Sequence, residues 1–264
     1  MNPVYRAMTI AGSDSGAGAG IQADLKTFAA NGVYGSSILT AITAQNTQHV
    51  TDVLEMPVSL IKAQIDAVVT DIGTDAVKIG MLSSSAIIEI IVEQMKEHEL
   101  NNIVVDPVMV AKGGDRLLRE DAVDSLRTLL VPIATLVTPN IPEAQVLTDK
   151  GIKNSDDARD AARDIFAMGP RAVVVKGGHL DGPASDIYFD GREFKIFESP
   201  RIITTNTHGT GCTFSSAIAA GLAKGMPIQE SVAIAKEYVT GAIRHAVPIG
   251  RGHGPLNHFY HLEA

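Results

Sequence analysis

The chain of 264 residues has one cysteine and no tryptophan. A lone thiol excludes an internal disulfide framework and a cysteine-built zinc site, and it fits a reducing compartment. Basic residues are outnumbered, with 22 Lys and Arg against 30 Asp and Glu, for a formal charge of -8. That balance excludes the basic stripe of a nucleic-acid groove, though not a local pocket for a phosphorylated small molecule. Apolar runs are short: "AVKIGML", from Ala76 to Leu82, is far from spanning a bilayer. The opening "MNPVYRAMTIAGSDSG" lacks a charged stretch followed by a long apolar one. No secretory signal is expected, and the expected location is the cytoplasm. The eight histidines include no HExxH pattern, so they predict no zinc site.

What is present supports one core. Hydrophobic residues make up 45% of the chain, and no repeat, low-complexity tract or linker divides it. Residues 1–264 therefore read as a single domain. Strands are expected in "RAMTIAG", "YGSSILTAIT", "DAVKIG", "NIVVDPVM", "ATLVTPN" and "RAVVVKGG". Helices are expected over 21–31, through "MPVSLIKAQIDAVVTDI" with Pro57 in its first turn, and over 84–99, 120–131, 156–167 and 228–246. "SDIYFDGREFKIFES" reads as a hairpin turning at Asp190–Gly191. Strands that alternate with helices, and that are apolar without alternation, predict an α/β fold. Its central sheet is mainly parallel, with helices on both faces and a small hairpin excursion.

In such sheets ligands gather beyond the carboxyl ends of the strands. The polar and glycine-rich stretches fall there: "GSDSGAGAG", "DP", "TPNIPE" and "KGGH". The first invites comparison with a dinucleotide fingerprint. Gly18 and Gly20 do open a G-x-G-x-x-A register ending at Ala23. The loop is long, however, and "TAITAQNT" puts Gln45, not an acid, near the expected second-strand position. GxxxxGK[ST] is absent, so no P-loop is present, and Asp14 stands where a G-x-S-x-G elbow needs serine. The loop either makes only a tight turn or lies against a small ring, with Asp14, Gln22 and Asp24 as polar contacts.

"HGTGCTFSSAIAAGL", from His208 to Leu222, is the strongest single signal. Gly209, Thr210 and Gly211 precede a helical run, whose first N–H groups and partial positive charge attract anions. The Thr210 hydroxyl adds a donor. This suits a phosphoryl group in transfer. Cys212 shares the helix start, which favours thiolate over thiol. It either takes the acceptor's proton or packs as a small hydrophobe. Asp106 ends a strand beside Pro107; Asn140 and Glu143 lie three apart in "NIPE"; Lys176 closes "VVVK". These provide candidate Mg²⁺ ligands, a phosphate-supporting amide and a neutralising cation, each of which could equally be a cap or surface group. The late loop "RGHGPLNHFY" is placed over the nucleotide.

"TIAGSDSGAGAGIQADLKTF", "TAITAQNT", "VKIGML", "VVDPVM", "LVTPNIPEA", "VVVKGGH" and "HGTGCTFSSAIAAGLAKG" occur in order over residues 7–257. They resemble the hydroxymethylpyrimidine and phosphomethylpyrimidine kinases, the thiamin-pathway branch of the ribokinase-like family. Most other ribokinase-like proteins carry aspartate at the Cys212 position. The resemblance implies a ribokinase-like three-layer sandwich that uses ATP and Mg²⁺ to phosphorylate a pyrimidine alcohol and then its monophosphate. It implies that Gly12, Ala19, Asp24, Gln45, Met81 and Val108 surround the pyrimidine, with Cys212 beside the hydroxymethyl group. Gly209, Thr210 and Gly211 would form the anion hole; Asp106 and Glu143 would serve Mg²⁺; Asn140 would support the phosphates and Lys176 neutralise them. Some relatives carry glutamate where this chain has Gln45, so a charge is lost there. A homodimer is implied. The rival within the branch is a pyridoxal kinase; outside it, a non-catalytic binding module. Asp106, Glu143, Lys176 and Cys212 together argue against the latter.

Overall fold

A computed structural model of the chain describes residues 3–109, 122–178 and 182–262. Its order is β1 (Arg6–Asp14), α1 (Gly20–Ala30), β2 (Tyr34–Gln45), β3 (Val50–Glu55), α2 (Val58–Asp71), β4 (Ala76–Ile79), α3 (Ser85–Glu97) and β5 (Ile103–Val105). There follow α4 (Ala122–Ser125), β6 (Leu136–Val137), α5 (Ile141–Thr148), α6 (Ser155–Phe166), β7 (Val173–Lys176), β8 (Ala184–Phe189), β9 (Phe194–Ser199), α7 (Thr210–Ala223) and α8 (Ile228–Arg244). The strands form one sheet in the order β3-β2-β1-β4-β5-β6-β7-β8-β9. Neighbours from β2 to β7 are parallel; β3, β8 and β9 run antiparallel to theirs.

The apolar strands hide a period of two. Met8, Ile10, Val77, Ile79, Val105, Val137, Val173 and Val175 belong to one core, with Ile61 and Ile65 of α2 and Ile87, Ile88 and Ile91 of α3. Their neighbours Ala7, Ala76, Val104, Leu136 and Val174 belong to the other, with Phe28 of α1, Phe214 and Ile218 of α7, and Val232 and Val239 of α8. Helices thus cover both faces, as the unbroken apolar runs require. Strand order reverses between β1 and β4. The loops after these two strands diverge and leave a crevice at the carboxyl ends.

The expected strands and most helices are present. Asp190–Gly191 turns the β8–β9 hairpin: Gly191 has a φ of 86°, and Asp190 Oδ1 accepts from the Arg192 and Glu193 amides. Two elements escape the sequence. β3 is an edge strand exposed along most of its length, so no apolar pattern marks it. α5 runs eight residues where only an early turn was expected. The helix expected over 120–131 is irregular where described: after α4, a π-turn spans Leu126–Leu130 and a 3-10 turn Val131–Ile133. Its first two residues, and His179 of "KGGH", lie outside the described residues. No described helix is long and apolar enough to cross a membrane.

Candidate active site

A cavity of about 710 Å³ crosses the carboxyl ends of the strands, from Thr43 and Gln45 of β2 to Ala184 and Asp186 of β8. Of the residues expected around a ring, Gly12, Ala19, Gln45, Met81 and Val108 line it. Gly12 lets the end of the Met81 side chain lie close against the backbone, where a Cβ would push it aside. The catalytic and nucleotide set also lines it: Asp106, Asn140, Glu143, Lys176, Gly209, Thr210, Gly211 and Cys212.

Three expected ring contacts are corrected. Asp24 does not line the cavity; it is fully buried beneath it. Its carboxylate accepts from Thr9 Oγ1 at 2.6 Å, Lys78 Nζ at 2.9 Å and Ser216 Oγ at 2.7 Å. The cause is the pleat: Thr9 and Lys78 point to the face that α1 and α7 cover, and a buried lysine there requires an anion. Gln22 is engaged locally, accepting from the Asp14 amide and donating to Ser13 Oγ. Asp14 lines the cavity, but its carboxylate accepts the amides of Gly16, Gly18 and Ala19 and a bond from His208. It builds the glycine-rich loop.

The phosphoryl-handling side is built on Asp106 and Lys176. Lys176 Nζ donates to Asp106 Oδ1 at 2.7 Å, and Thr138 Oγ1 reaches the same oxygen at 3.2 Å. Burial works against the Lys176 ammonium, but Asp106 and Glu143 outweigh it and hold its pKa above the ordinary lysine value. Gly211 brings the start of α7 onto this pair. A Cβ there would lie 3.2 Å from both Asp106 Oδ2 and Lys176 Nζ. Gly209 caps α7 with a φ of 81°, and a Cβ would collide with the Gly18 carbonyl. No side chain caps α7. Among the described residues the Gly211 and Cys212 amides have no backbone acceptor, which leaves the anion hole open.

Thr210 departs from expectation: its hydroxyl donates to the Thr207 carbonyl at 2.8 Å, so it is not a further phosphate donor. Asn140 and Glu143 form a reciprocal capping box at the start of α5. Asn140 Oδ1 accepts the Glu143 amide, so only its side-chain nitrogen remains for a phosphate. Burial, with Asp106 adding to it, pushes the Glu143 carboxyl up to about 7. Cys212 also departs. Burial pushes the thiol up to about 11; Lys78 and a Gly20 backbone bond pull it down, and Asp24 and Asp106 push it up. The half-buried thiol on the cavity wall is thus shifted toward its neutral form, opposite to the expectation from the helix start.

The donor set fits a divalent cation. Asp106 Oδ2 is buried and has no hydrogen-bond partner among the described residues, and Asp106 stands close enough to Glu143 to raise the latter's proton affinity. Among the described residues no group of three or more His, Cys, Asp or Glu forms a protein cage for a metal. Mg²⁺ needs none, since it takes one or two carboxylates and completes its shell with phosphates and water.

Three site features were missed. Lys78 sits in "AVKIG", and the argument that a lysine in an apolar strand needs an anion applied there as it did to Lys176. Lys236 of α8 donates to Asp186 at 2.8 Å and to the Ala184 carbonyl at 2.7 Å, on the cavity wall. No spacing announced that pair. His208 joins the Asp14 loop to the anion hole. The loop "RGHGPLNHFY" is not over the nucleotide half: its Gly252 and His253 amides donate to Thr47, at the β2–β3 turn, and none of its residues lines the cavity.

Comparison with known proteins agrees with this geometry. The family model "Phosphomethylpyrimidine kinase" matches residues 14–257. The chain is 50% identical to the hydroxymethylpyrimidine/phosphomethylpyrimidine kinase of Streptomyces coelicolor, over 97% of this chain and 94% of that one. It is 54% identical to the thiamine biosynthesis bifunctional protein ThiED of Geobacter sulfurreducens, over 97% of this chain but only 52% of that one. It thus spans about half the length of that relative. Among solved structures, an ADP complex of Bacillus subtilis pyridoxal kinase superposes with a TM-score of 0.93 at 42% identity, covering 99% of this chain and 100% of that one. A phosphomethylpyrimidine kinase from Clostridium difficile superposes at 0.82 with 48% identity, covering 90% and 99%. With its sandwich, its Asp106–Lys176 pair and its open α7 start all in place, the chain belongs to the phosphomethylpyrimidine kinase family of the ribokinase-like fold.

Proposed function

We infer that the chain, as one domain, transfers the γ-phosphoryl group of ATP to 4-amino-5-hydroxymethyl-2-methylpyrimidine and then to the resulting monophosphate, in thiamin biosynthesis. The observation that carries this reading is the cavity itself. A ring-sized pocket of Gly12, Ala19, Gln45, Met81 and Val108 opens onto the α7 amides and the Asp106–Lys176 pair. The acceptor hydroxyl stands at the join, beside Cys212. Gly209 and Gly211 shape a backbone cradle for the phosphoryl group, and Lys176 offsets the negative charge on its oxygens. Asp106 and Glu143 would hold Mg²⁺, which would supply charge neutralisation to the phosphates when bound. Asn140 supports them through its side-chain nitrogen. Pro200, Ile202, Val239 and Ile243 line the opposite end and suit an adenine ring.

The test is direct. Purified protein with ATP, Mg²⁺ and the pyrimidine alcohol yields monophosphate and then diphosphate by mass; no product at any metal concentration refutes the reading. The likeness to pyridoxal kinases supports a second acceptor, because pyridoxal is a similar ring bearing a hydroxymethyl arm. A pyridoxal kcat/KM well above the pyrimidine value would reassign the substrate and keep the mechanism. We also propose a cytoplasmic homodimer. The exposed Ile42 and Leu54, paired across β2 and β3 on one face near the sheet edge, support an apolar contact there, and a monomer in sedimentation would refute it.

A further inference from the structure

His208 immediately precedes the anion hole and is itself nearly buried on the cavity wall. Its amide donates to the Gly254 carbonyl at 3.0 Å, and its ring packs against Gly18 so closely that a Cβ there would collide with it. The imidazole is therefore held from both sides. Its Nε2 lies 2.9 Å from Asp14 Oδ2 and 3.3 Å from the Gln45 amide.

The chemistry of the neighbours determines which of these atoms donates. Asp14 accepts three backbone amides. Burial opposes its charge, but the bonds from His208 and from the Ala19 and Gly16 amides prevail and hold the carboxyl below its ordinary range. It is ionised and has no proton to give, so His208 Nε2 carries the hydrogen. That single hydrogen lies between two groups, with Asp14 at 2.9 Å as the nearer acceptor and the Gln45 amide at 3.3 Å on the longer arm of a bifurcated bond, and an Nε2–H so placed cannot face an NH₂ group. The recorded Gln45 amide turns its nitrogen to His208 and its oxygen to Thr43 Oγ1, at 3.2 Å. A half-turn exchanges the two and moves nothing else. Thr43 demands the same half-turn. Its single hydroxyl proton points at the Ser13 carbonyl, 2.9 Å away, so Oγ1 is an acceptor toward Gln45.

We propose that His208 is a positioning residue for acceptor specificity: it holds the Gln45 amide with oxygen toward the imidazole and nitrogen toward Thr43, so that the amide meets the acceptor ring in one orientation. Gln45 then has one N–H and one oxygen lone pair left for the cavity. That donor–acceptor pair complements an aminopyrimidine edge, which offers an amino N–H beside a ring nitrogen. The proposal rests on Gln45 as the residue that meets the ring.

The experiment compares kcat/KM for the aminopyrimidine alcohol with that for the analogue lacking the 4-amino group. The ratio falls by about 10- to 100-fold in His208→Leu, the scale of one oriented hydrogen bond, while the KM for ATP stays put. His208→Gln, which returns an N–H donor at the same reach, restores most of it. Thr43→Val, isosteric and independent of any folding defect at His208, lowers the ratio as well. In a Gln45→Leu background, His208→Leu lowers the ratio no further. If Gln45→Leu loses discrimination while His208→Leu and Thr43→Val keep it, or if the His208 and Gln45 effects on the ratio add, the proposal is overturned and Gln45 remains the ring contact. If Gln45→Leu itself keeps discrimination, the reading of Gln45 fails first, and the proposal with it.

Discussion

With one cysteine in the chain, alkylation by iodoacetamide reports on a single site. The Cys212 thiol is pushed up to about 11 from an ordinary 9.0. At pH 8 its thiolate fraction is on the order of 10⁻³, against roughly 10⁻¹ for an unperturbed thiol, because only the thiolate reacts. A more basic thiolate is a stronger nucleophile, which returns about a factor of ten. Alkylation at pH 8 should therefore run about 10- to 100-fold slower than for a free thiol, with the rate still climbing above pH 10. The same ionisation constrains catalysis. If the thiolate accepts the acceptor's proton, kcat should rise with pH well beyond neutrality, and Cys212→Ser should remove that rise. Intact-mass kinetics across pH 6 to 11 measure the first, and a pH–rate profile the second. A modification midpoint near or below neutrality would refute the reasoning, for it would show that the α7 terminus and Lys78 outweigh desolvation.

The remaining expectations concern the buried charges. Lys176→Ala should lower kcat/KM by about 10²-fold or more by removing a preorganised charge, and should also lower Tm, because it leaves the buried Asp106 unpaired; an unchanged kcat/KM would remove Lys176 from the phosphoryl site. Lys78→Met or Asp24→Asn alone should destabilise by roughly 3–5 kcal/mol, and the double variant should recover much of that, since both side chains are fully buried and breaking such a pair costs more than deleting it; denaturant unfolding that shows simple additivity would contradict it. Glu143 is raised by burial to about 7, so the folded state binds the extra proton between about pH 4.5 and 7. Its contribution to stability is present below that window and lost as pH rises through it, and Glu143→Gln should flatten this slope in chemical denaturation. Because Mg²⁺ needs the carboxylate, the apparent Mg²⁺ affinity of the ATP-bound protein should rise with pH over the same window, and pH-independent titrations would argue against Glu143 as a ligand.

Much of the fold was legible because burial on both faces forces an unmistakable composition. "MTIAG", "AVKIG", "IVVD" and "VVVK" cannot sit at a surface, and the glycine and proline punctuation shows where each strand ends. β3 was illegible for the opposite reason: an exposed edge strand has no inside for a pattern to record. The rim residues were legible as a group. A strand that ends in Asp106, Lys176 or a glycine-rich turn has few places to put those groups except the shared carboxyl edge.

By itself, the sequence determined the architecture and the family, and that the polar motifs gather at the carboxyl edge of the sheet, because these depend on local patterns and on motif order. Only the tertiary structure decided what each polar group does there, since hydrogen-bond partners lie far apart in the chain. Asp24 meets Lys78 across 54 residues and Ser216 across 192, and so belongs to the floor, not the ring. The helix start after "HGTG" promised a thiolate, but desolvation on the cavity wall, with Asp24 and Asp106 nearby, shifts Cys212 toward the neutral thiol. His208 and Asp14, separated by 194 residues, meet at 2.9 Å. Ionisation and hydrogen-bond direction follow from desolvation and from which partner arrives, and both are properties of the packed state.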